Sequence, residues 1–439
     1  MRIRTRLSKI FPGWWIVLSG GLVSLWTVGF YTYGFGALFK PLSSELGLNR
    51  ATTSVTAGIG RLEGGFEAPL AGWITDKYGP RWIVLIGVFV VGTSLILMYF
   101  INSLWAIYIV WGVVLGTGTN MGQSLPIDVA ISNWFVKKRG KAIGIKWLMG
   151  GLSGTVVLPL IAWLISTQGW RMTCVVGGVA MLLVGLPLVW LFMKNQRPEY
   201  YGLLPDGATS REDSADESKM IDKGVEYAAE AQELEYTLRQ AMRTPAYWLL
   251  ILAQTSHSMA MPAMLIHGIP FLTDIGMDPI KAAGMMAIMA LASIPTRFIS
   301  GFLADRVEKS HLRFIIGGAY LVQALGFALF LQNQTVIMIY IWFILYGIGH
   351  GTGLTLNPVM RARYFGRKAF GSIAGFSRMF MTPIGIAAPI YLGWVYDTTG
   401  NYISAFWVVT ALLGFASIFM SLITPPKPPA QITGIRKFM

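Results

Sequence analysis

A few ionisable side chains lie deep inside apolar stretches, and they are the residues of this sequence whose chemistry could serve a function. Arg297 lies eight residues before Asp305, near the end of the apolar stretch 280–304. At 1.5 Å per helical residue, this spacing places its guanidinium about 12 Å from the end of the stretch. A guanidinium stays charged at physiological pH and can hold a carboxylate by two parallel hydrogen bonds. Arg297 is therefore the leading candidate for binding an organic anion, the alternative being an ion pair between helices.

A second group of charges lies in the stretch 51–75. Glu63 and Glu67 are four residues apart and share one face of a helix, while Arg61 is rotated away from that face. Two carboxylates held close together in apolar surroundings favour protonation of one of them. The pair is a candidate proton carrier. The alternative is an ion-pair network that only fixes helix packing.

Lys146 and Arg378 occupy nearly equivalent places in the two halves of the chain, 232 residues apart. Both are candidates for binding an anion together with Arg297. For Lys146 the alternative is a side chain that extends to the membrane surface, since Lys141 lies only five residues earlier.

Asp76, Arg81 and Asp305 lie at the ends of apolar stretches and not within them. Charge-assisted hydrogen bonds between helix ends can form in one conformation and break in another. We therefore expect these three residues to gate access and not to bind the ligand. Asp128 lies near the end of another apolar stretch, where we expect it to pair with the basic loop 137–139 or with an arginine of the loop that contains Asp76.

No residue pattern indicates an enzyme, a metal centre or a cofactor. Cys174 is the single cysteine, and the histidine spacings suit no zinc site. The nucleotide-binding pattern Gly-x4-Gly-Lys-Ser/Thr is absent. We predict a protein that is not an enzyme, needs no cofactor and draws on ion or substrate gradients.

Membrane-spanning helices must position these residues. Of the 439 residues, 54% are hydrophobic and 13% are charged, which excludes a disordered, fibrous or nucleic-acid-binding chain. A helix needs about 20 mostly apolar residues to cross a bilayer, so we predict an all-α membrane protein. Twelve stretches have this length: 13–38, 51–75, 82–101, 104–128, 141–167, 171–193, 246–272, 280–304, 313–331, 335–360, 370–395 and 402–424.

A polar segment separates the first six spans from the last six. It contains prolines and a charged run at 211–213, followed by a helix-like segment at 225–243. We predict an N-terminal six-helix bundle (1–193), a linker (194–244) and a C-terminal six-helix bundle (245–439).

Lysine and arginine are distributed unevenly between the two sides of the predicted membrane. If both termini and the linker share one side, that side holds 27 of the 35 basic residues, and the opposite side holds four. This bias predicts that the termini and the linker are cytoplasmic. It also accounts for the net charge of +14, so the charge gives no indication of a nucleic-acid partner.

The two halves of the chain repeat each other. The segment 72–77 (GWITDK) aligns with 301–306 (GFLADR) at an offset of 229 residues. Because each repeat has an even number of spans, both copies enter the membrane from the same side. We therefore predict two parallel six-helix pseudo-repeats around a central cavity.

These motifs resemble those of a known family. The loop 72–81 (GWITDKYGPR) is similar to the hallmark of the major facilitator superfamily between spans two and three. Within that superfamily the chain resembles the monocarboxylate transporter and oxalate:formate antiporter group. The similarity lies in the segments 61–69 (RLEGGFEAP), 237–248 (TLRQAMRTPAYW) and 297–305 (RFISGFLAD).

The resemblance implies roles for single residues. In this group an arginine at the spacing of Arg297 binds the substrate carboxylate. In the oxalate:formate antiporter a basic residue in span eleven, where Arg378 lies, contacts the substrate. Arg61 aligns with a cavity-facing polar position of that antiporter, which makes Arg61 a candidate for binding the anion. Ser293 stands where animal monocarboxylate transporters carry an acid four residues before that arginine.

We therefore predict a secondary active transporter of small organic anions, such as lactate, pyruvate or acetate, that works by alternating access and proton symport. The alternative is an anion exchanger of the oxalate:formate type. Four basic residues against two acids within the spans argue against drug export, and the linker is too short for the signalling domain of a sensor. We expect a monomer in the bacterial cytoplasmic membrane, whose partners are the lipid bilayer, a small carboxylate and a proton.

Overall fold

The computed structural model describes residues 10–47, 50–208, 217–230 and 233–428, and within these ranges the chain is helical without strands. The helices form the twelve spans that the sequence predicts. The first six are α1 (Pro12–Thr27, Val28–Tyr33 and Gly34–Glu45), α2 (Arg50–Tyr78), α3 (Pro80–Leu97 and Met98–Phe100), α4 (Leu104–Ile107, Tyr108–Leu115, Gly116–Gly122 and Leu125–Trp134), α5 (Arg139–Gly151 and residues 153–168) and α6 (residues 170–180, Met181–Gly185 and Leu186–Phe192).

The last six spans follow the linker. They are α7 (Pro245–Ser258 and Ala260–Asp274), α8 (Pro279–Ala304), α9 (Leu312–Gln332, after a 3₁₀ turn at Lys309–His311), α10 (Val336–Phe365), α11 (Phe370–Thr399) and α12 (Ile403–Leu422). Several of these helices extend beyond the predicted apolar limits. The end of a helix is set by its backbone hydrogen bonds and not by where the apolar sequence stops.

Length and composition mark ten continuous helices of the described chain as able to cross a membrane. One of the ten, Arg139–Phe192, has 54 residues and contains both α5 and α6, which are separated at Gly169. Gly169 has φ 78° and ψ 166°, a conformation that glycine adopts without the strain of a side chain. α2 is not among the ten because charged residues, including Glu63 and Glu67, interrupt its apolar sequence. Counting α5, α6 and α2 separately gives twelve spans.

The linker differs from the predicted helix at 225–243. Its main helix, Glu217–Glu230, begins earlier, and a second short helix covers Leu238–Met242. The second helix starts separately because Thr237 and Gln240 form a capping box, in which each side chain bonds the other's backbone N–H. The continuous-helix prediction was therefore wrong.

The two six-helix halves meet along two helix pairs, α2 with α11 and α5 with α8. Both pairs contain glycines at the points of closest approach. A Cβ atom on Gly72 would lie 2.1 Å from the carbonyl oxygen of Gly371, and one on Gly140 would lie 2.2 Å from that of Gly301. A side chain at either position would therefore force the halves apart at the end of the bundle that carries the linker, which we call the linker side.

Candidate functional site

Arg297 of α8 reaches across the interface to α5 in the other half. Its Nη1 donates to the carbonyl oxygen of Trp147 at 2.9 Å, and its Nη2 donates to Ser293 Oγ at 3.3 Å. The guanidinium lies directly against Gly151, where a Cβ atom would be 2.4 Å from Nη1. We call this arrangement of Arg297, Ser293, Trp147 and Gly151 the Arg297 site.

The charge of Arg297 has no counter-ion at contact distance among the residues that the structure describes. Its side chain is 7% exposed, yet within the described residues no carboxylate lies within 4 Å of it. Its Nε is buried and makes no hydrogen bond there. Ser293, which replaces the acid of animal relatives, supplies only a hydroxyl oxygen. Since a buried charge is costly without a partner, Arg297 remains the leading candidate of the described residues for contact with an anion.

Lys146 has a different environment. Its ammonium is fully buried, lies 3.2 Å from Asp128 Oδ1 of α4 and stands 3.8 Å above the ring of Trp147. The alternative that Lys146 extends to the membrane surface is therefore wrong, because Asp128 holds the ammonium inside the bundle. The expectation that Asp128 pairs with the loop 137–139 or with a loop arginine is wrong for the same reason.

Arg378 of α11 also contacts the opposite half. Its Nη2 donates to Ser124 Oγ of α4, and Asp128 and Glu67 are the carboxylates that act on it electrostatically. Arg378 thus lies between the Lys146–Asp128 pair and Glu67. The side chain of Arg61 lies outside the described part of the chain, although its backbone belongs to α2.

Arg361 is a buried cation that the sequence did not reveal. It is 8% exposed, and its Nη2 donates to Gln254 Oε1 at 2.8 Å. The apolar limit of span ten at residue 360 placed it in a loop, whereas α10 continues to Phe365. Burial of Arg361 depends on this helical extension, which hydropathy alone does not detect.

Glu63 and Glu67 face polar side chains of α4. Glu63 Oε1 accepts a hydrogen bond from Thr117, and Asn120 is the polar neighbour of Glu67. Neither carboxylate oxygen of Glu67 accepts a hydrogen bond within the described residues. Ser124, which bonds Arg378, and Asp128, which pairs with Lys146, lie at helical spacing from Thr117 and Asn120. That polar stripe was readable in the sequence and would have indicated which side of α4 faces the charged groups.

Asp76 and Asp305 make equivalent contacts on the linker side. Asp76 accepts from the backbone N–H groups of Gly371 (2.9 Å) and Ser372 (2.7 Å) at the start of α11. Asp305 accepts from those of Gly140 (2.6 Å) and Lys141 (2.8 Å) at the start of α5. Each carboxylate therefore joins the two halves at a helix N-terminus, where the free N–H groups and the helix dipole favour negative charge.

Asp305 and Arg81 on the linker side have different surroundings. Burial raises the pKa of Asp305 to about 6, although its backbone hydrogen bonds oppose the shift. Arg81, in contrast, does not reach the other half, since its guanidinium lies over the ring of Trp190 at 4.3 Å within the N-terminal half.

Linker carboxylates add ion pairs that the sequence did not predict. Glu233 pairs with Arg139 of α5 at 3.0 Å and with Arg367, in the α10–α11 loop, at 3.6 Å. Glu199 pairs with Arg367 at 3.2 Å. All four side chains are at most 5% exposed, so the linker is packed into the contact between the halves.

Two of the histidines inside the spans have ordinary polar partners, whereas the buried Nδ1 of His350 makes no hydrogen bond within the described residues. His257 Nε2 lies 3.2 Å from Gln323 Oε1, and His267 Nε2 lies 2.9 Å from the carbonyl oxygen of Pro389. Within the described residues, no group of three or more metal-ligating side chains was found.

Known proteins share this arrangement of helices. The family model of the Major Facilitator Superfamily matches residues 21–389. Monocarboxylate transporter 13 of Rattus norvegicus is 25% identical over 409 residues, which are 91% of this chain and 86% of the relative. The "Probable sulfoacetate transporter SauU" of Cupriavidus necator is 24% identical, with 90% and 91% covered. The solved proton:xylose symporter XylE is similar in fold with a TM-score of 0.72, at 12% identity and with 93% and 95% covered.

Proposed function

The chain belongs to the Major Facilitator Superfamily of membrane transporters, and from this premise we propose that it is a secondary active transporter of small monocarboxylates. Lactate, pyruvate and acetate are the substrates that we expect. The relatives named for monocarboxylates and for sulfoacetate support an organic anion as the substrate class.

The single observation that carries the proposal is the buried guanidinium of Arg297 without a carboxylate partner. Within the described residues, its polar contacts are one backbone carbonyl and one hydroxyl, neither of which neutralises the charge. A substrate carboxylate would supply the missing charge by a bidentate pair. Arg378, and Arg61 from α2, would add to the positive field. Lys146 is assigned a supporting role, because its ammonium is already paired with Asp128.

Because Arg297 bonds α5 across the interface between the halves, substrate binding is tied to their separation. Alternating access requires the halves to open first on one side and then on the other. Asp76 and Asp305 would hold the linker side closed, and the linker side would be the cytoplasmic one. Placement in a bacterial cytoplasmic membrane remains a prediction.

Proton symport is the proposed coupling mode, with Glu67 as the proton carrier and Glu63 beside it. Glu67 is the better carrier because neither of its carboxylate oxygens has a hydrogen bond within the described residues and because it lies near Arg378, which the substrate would also approach. Protonation of Glu67 would then change the net charge of the site as the substrate binds or leaves.

Uptake of radiolabelled lactate, pyruvate and acetate into proteoliposomes tests the proposal. We expect uptake to accelerate when the outside is acidified, and Glu67→Gln to remove this acceleration while counterflow continues. Glu45→Gln is a matched control, since Glu45 is paired with Arg171 away from the site. Uptake that does not depend on the pH gradient but requires an internal anion would indicate exchange instead of symport. Failure to transport any carboxylate would reject the proposed substrate class.

A further inference from the structure

The indole N–H of Trp147, in the Arg297 site, is a donor for which the described residues supply no acceptor. Its nitrogen is buried and makes no hydrogen bond within the described residues. The backbone carbonyl of the same residue accepts from Arg297 Nη1 at 2.9 Å, and the ring lies against the Lys146 ammonium. These two contacts hold Trp147 between the unpaired cation and the paired one.

In other tryptophans of the chain, the indole N–H has an acceptor. The indole nitrogen of Trp26 donates to the carbonyl oxygen of Gly177 at 2.9 Å, and that of Trp134 donates to Gln196 at 3.1 Å. A buried N–H without a partner is destabilising, so proteins seldom retain one. The missing acceptor at Trp147 therefore requires an explanation.

Trp342 provides the comparison that separates packing from function. Its indole nitrogen is also buried without a hydrogen bond in the described structure. However, its ring is stacked on Phe330 at 4.3 Å and contacts Phe327 at 4.8 Å, inside an apolar cluster. Trp342 is thus explained by apolar packing alone, whereas Trp147 packs against the apolar core and also has the Lys146 ammonium over its ring.

We propose that the Trp147 indole N–H binds an oxygen on carbon 2 of the substrate, so that the protein selects 2-oxo and 2-hydroxy monocarboxylates over unsubstituted acids. This inference rests on the proposed function, because it assumes that the carboxylate is held by Arg297. A guanidinium has five N–H donors, two of which are used by Trp147 and Ser293, so enough remain for both carboxylate oxygens. A single directional indole donor suits a single further acceptor.

Access to this donor follows from its position. Trp147 belongs to the N-terminal half and Arg297 to the C-terminal half, and the bond between them crosses the interface. When the halves separate, this bond breaks and the layer between α5 and α8 opens to the substrate. An unsubstituted acid would leave the indole N–H without an acceptor, which is how a polar site rejects an analogue that lacks one group.

Pyruvate and propionate are suitable probes because they have the same chain length and differ at carbon 2. Their dissociation constants are measured by isothermal titration or scintillation proximity on the purified full-length protein, Trp147→Phe and the matched control Trp342→Phe. We expect the parent to bind pyruvate about tenfold more tightly than propionate. Trp147→Phe should lose this preference by weakening pyruvate binding alone, and Trp342→Phe should keep it.

The outcomes separate this inference from the proposed function. If the parent protein binds both acids with equal affinity, the proposed role of Trp147 is overturned. This result needs no variant, so the proposal can be tested even if Trp147→Phe does not fold. A folded Trp147→Phe protein that keeps the full preference for pyruvate also overturns it, while carboxylate binding itself stands. A parent that binds neither acid overturns the proposed function and this inference together.

Discussion

Lys146 and Arg297 are two buried cations on adjoining helices, and they differ in whether the chain supplies a counter-ion. Lys146 lies 3.2 Å from Asp128, whereas Arg297 contacts a carbonyl and a hydroxyl oxygen. A paired buried charge is satisfied within the fold, and its removal alone leaves the partner uncompensated. An unpaired one is left uncompensated by the described residues around it. The comparison teaches that an intramembrane cation does not by itself identify a binding site, and that of these two Arg297 is the better candidate because it lacks the carboxylate that Lys146 has.

The largest expected effect comes from breaking the pair. Asp128→Asn leaves the Lys146 ammonium buried without a carboxylate, which typically costs about 3–5 kcal/mol of stability. The double variant Asp128→Asn/Lys146→Met removes both charges and should recover most of that loss. The midpoint of thermal unfolding in detergent measures both effects. If the single variant unfolds at the parent's midpoint, the pair does not stabilise the fold and the contrast with Arg297 fails.

A smaller effect is expected at Asp76, which accepts from two backbone N–H groups and from the Ser372 hydroxyl across the interface that the proposed transport cycle would open. Asp76→Asn weakens charge-assisted hydrogen bonds to Gly371 and Ser372, so the closed linker side should lose about 1–2 kcal/mol relative to the open one. Turnover in proteoliposomes should fall by roughly tenfold while substrate affinity changes little. A folded Asp76→Asn protein that no longer binds substrate would instead place Asp76 in the binding site.

The smallest effect is the pH dependence of the Asp305 contact. The pKa of Asp305 is about 6 in the closed arrangement and should return towards its ordinary value near 4 when the contact opens to water. The state with the higher pKa binds the proton more tightly, so acidification through pH 6 favours the closed linker side, by up to about tenfold at pH 5. Above pH 7 the carboxylate is ionised in both states and the effect disappears.

Double electron–electron resonance can measure this equilibrium. The spin labels are placed at the exposed residues Lys137 and Glu308, one in each half, and the distance between the two labels is recorded. We expect the short-distance population to grow between pH 7 and pH 5, and Asp305→Asn to abolish that response. Arg363 at 3.8 Å and the more distant Asp206 are the charged groups that also act on Asp305. A response that persists in Asp305→Asn would assign the titration to another group.

The fold could be predicted from the sequence because its signals are local. Apolar length predicted the twelve spans, and the aligned glycine and aspartate motifs predicted the two repeats. Arg297 was placed correctly in α8 because its distance from Asp305 is a helical spacing. Its lack of a counter-ion could not be predicted, since that depends on every side chain around it.

Contacts between distant segments explain what the sequence did not reveal. Arg139 and Glu233 are 94 residues apart, and the pairing of Glu199 with Arg367 spans 168 residues. Each of these charges has the local sequence context of a solvent-exposed loop. Similarly, the pairing of Lys146 with Asp128 depends on how α4 and α5 are rotated about their axes, which hydropathy does not specify.

Carboxylate binding by Arg297 variants tests the central claim most directly. The measurement is the dissociation constant of pyruvate for purified parent, Arg297→Gln and Arg297→Lys proteins, with Arg171→Gln as a control arginine paired with Glu45. Losing a charge-assisted bidentate contact should cost about 3 kcal/mol, which weakens binding by about two orders of magnitude, and lysine should not restore it because it lacks the planar fork. If folded Arg297→Gln and Arg297→Lys proteins bind pyruvate as tightly as the parent, the anion is bound elsewhere and the account is contradicted.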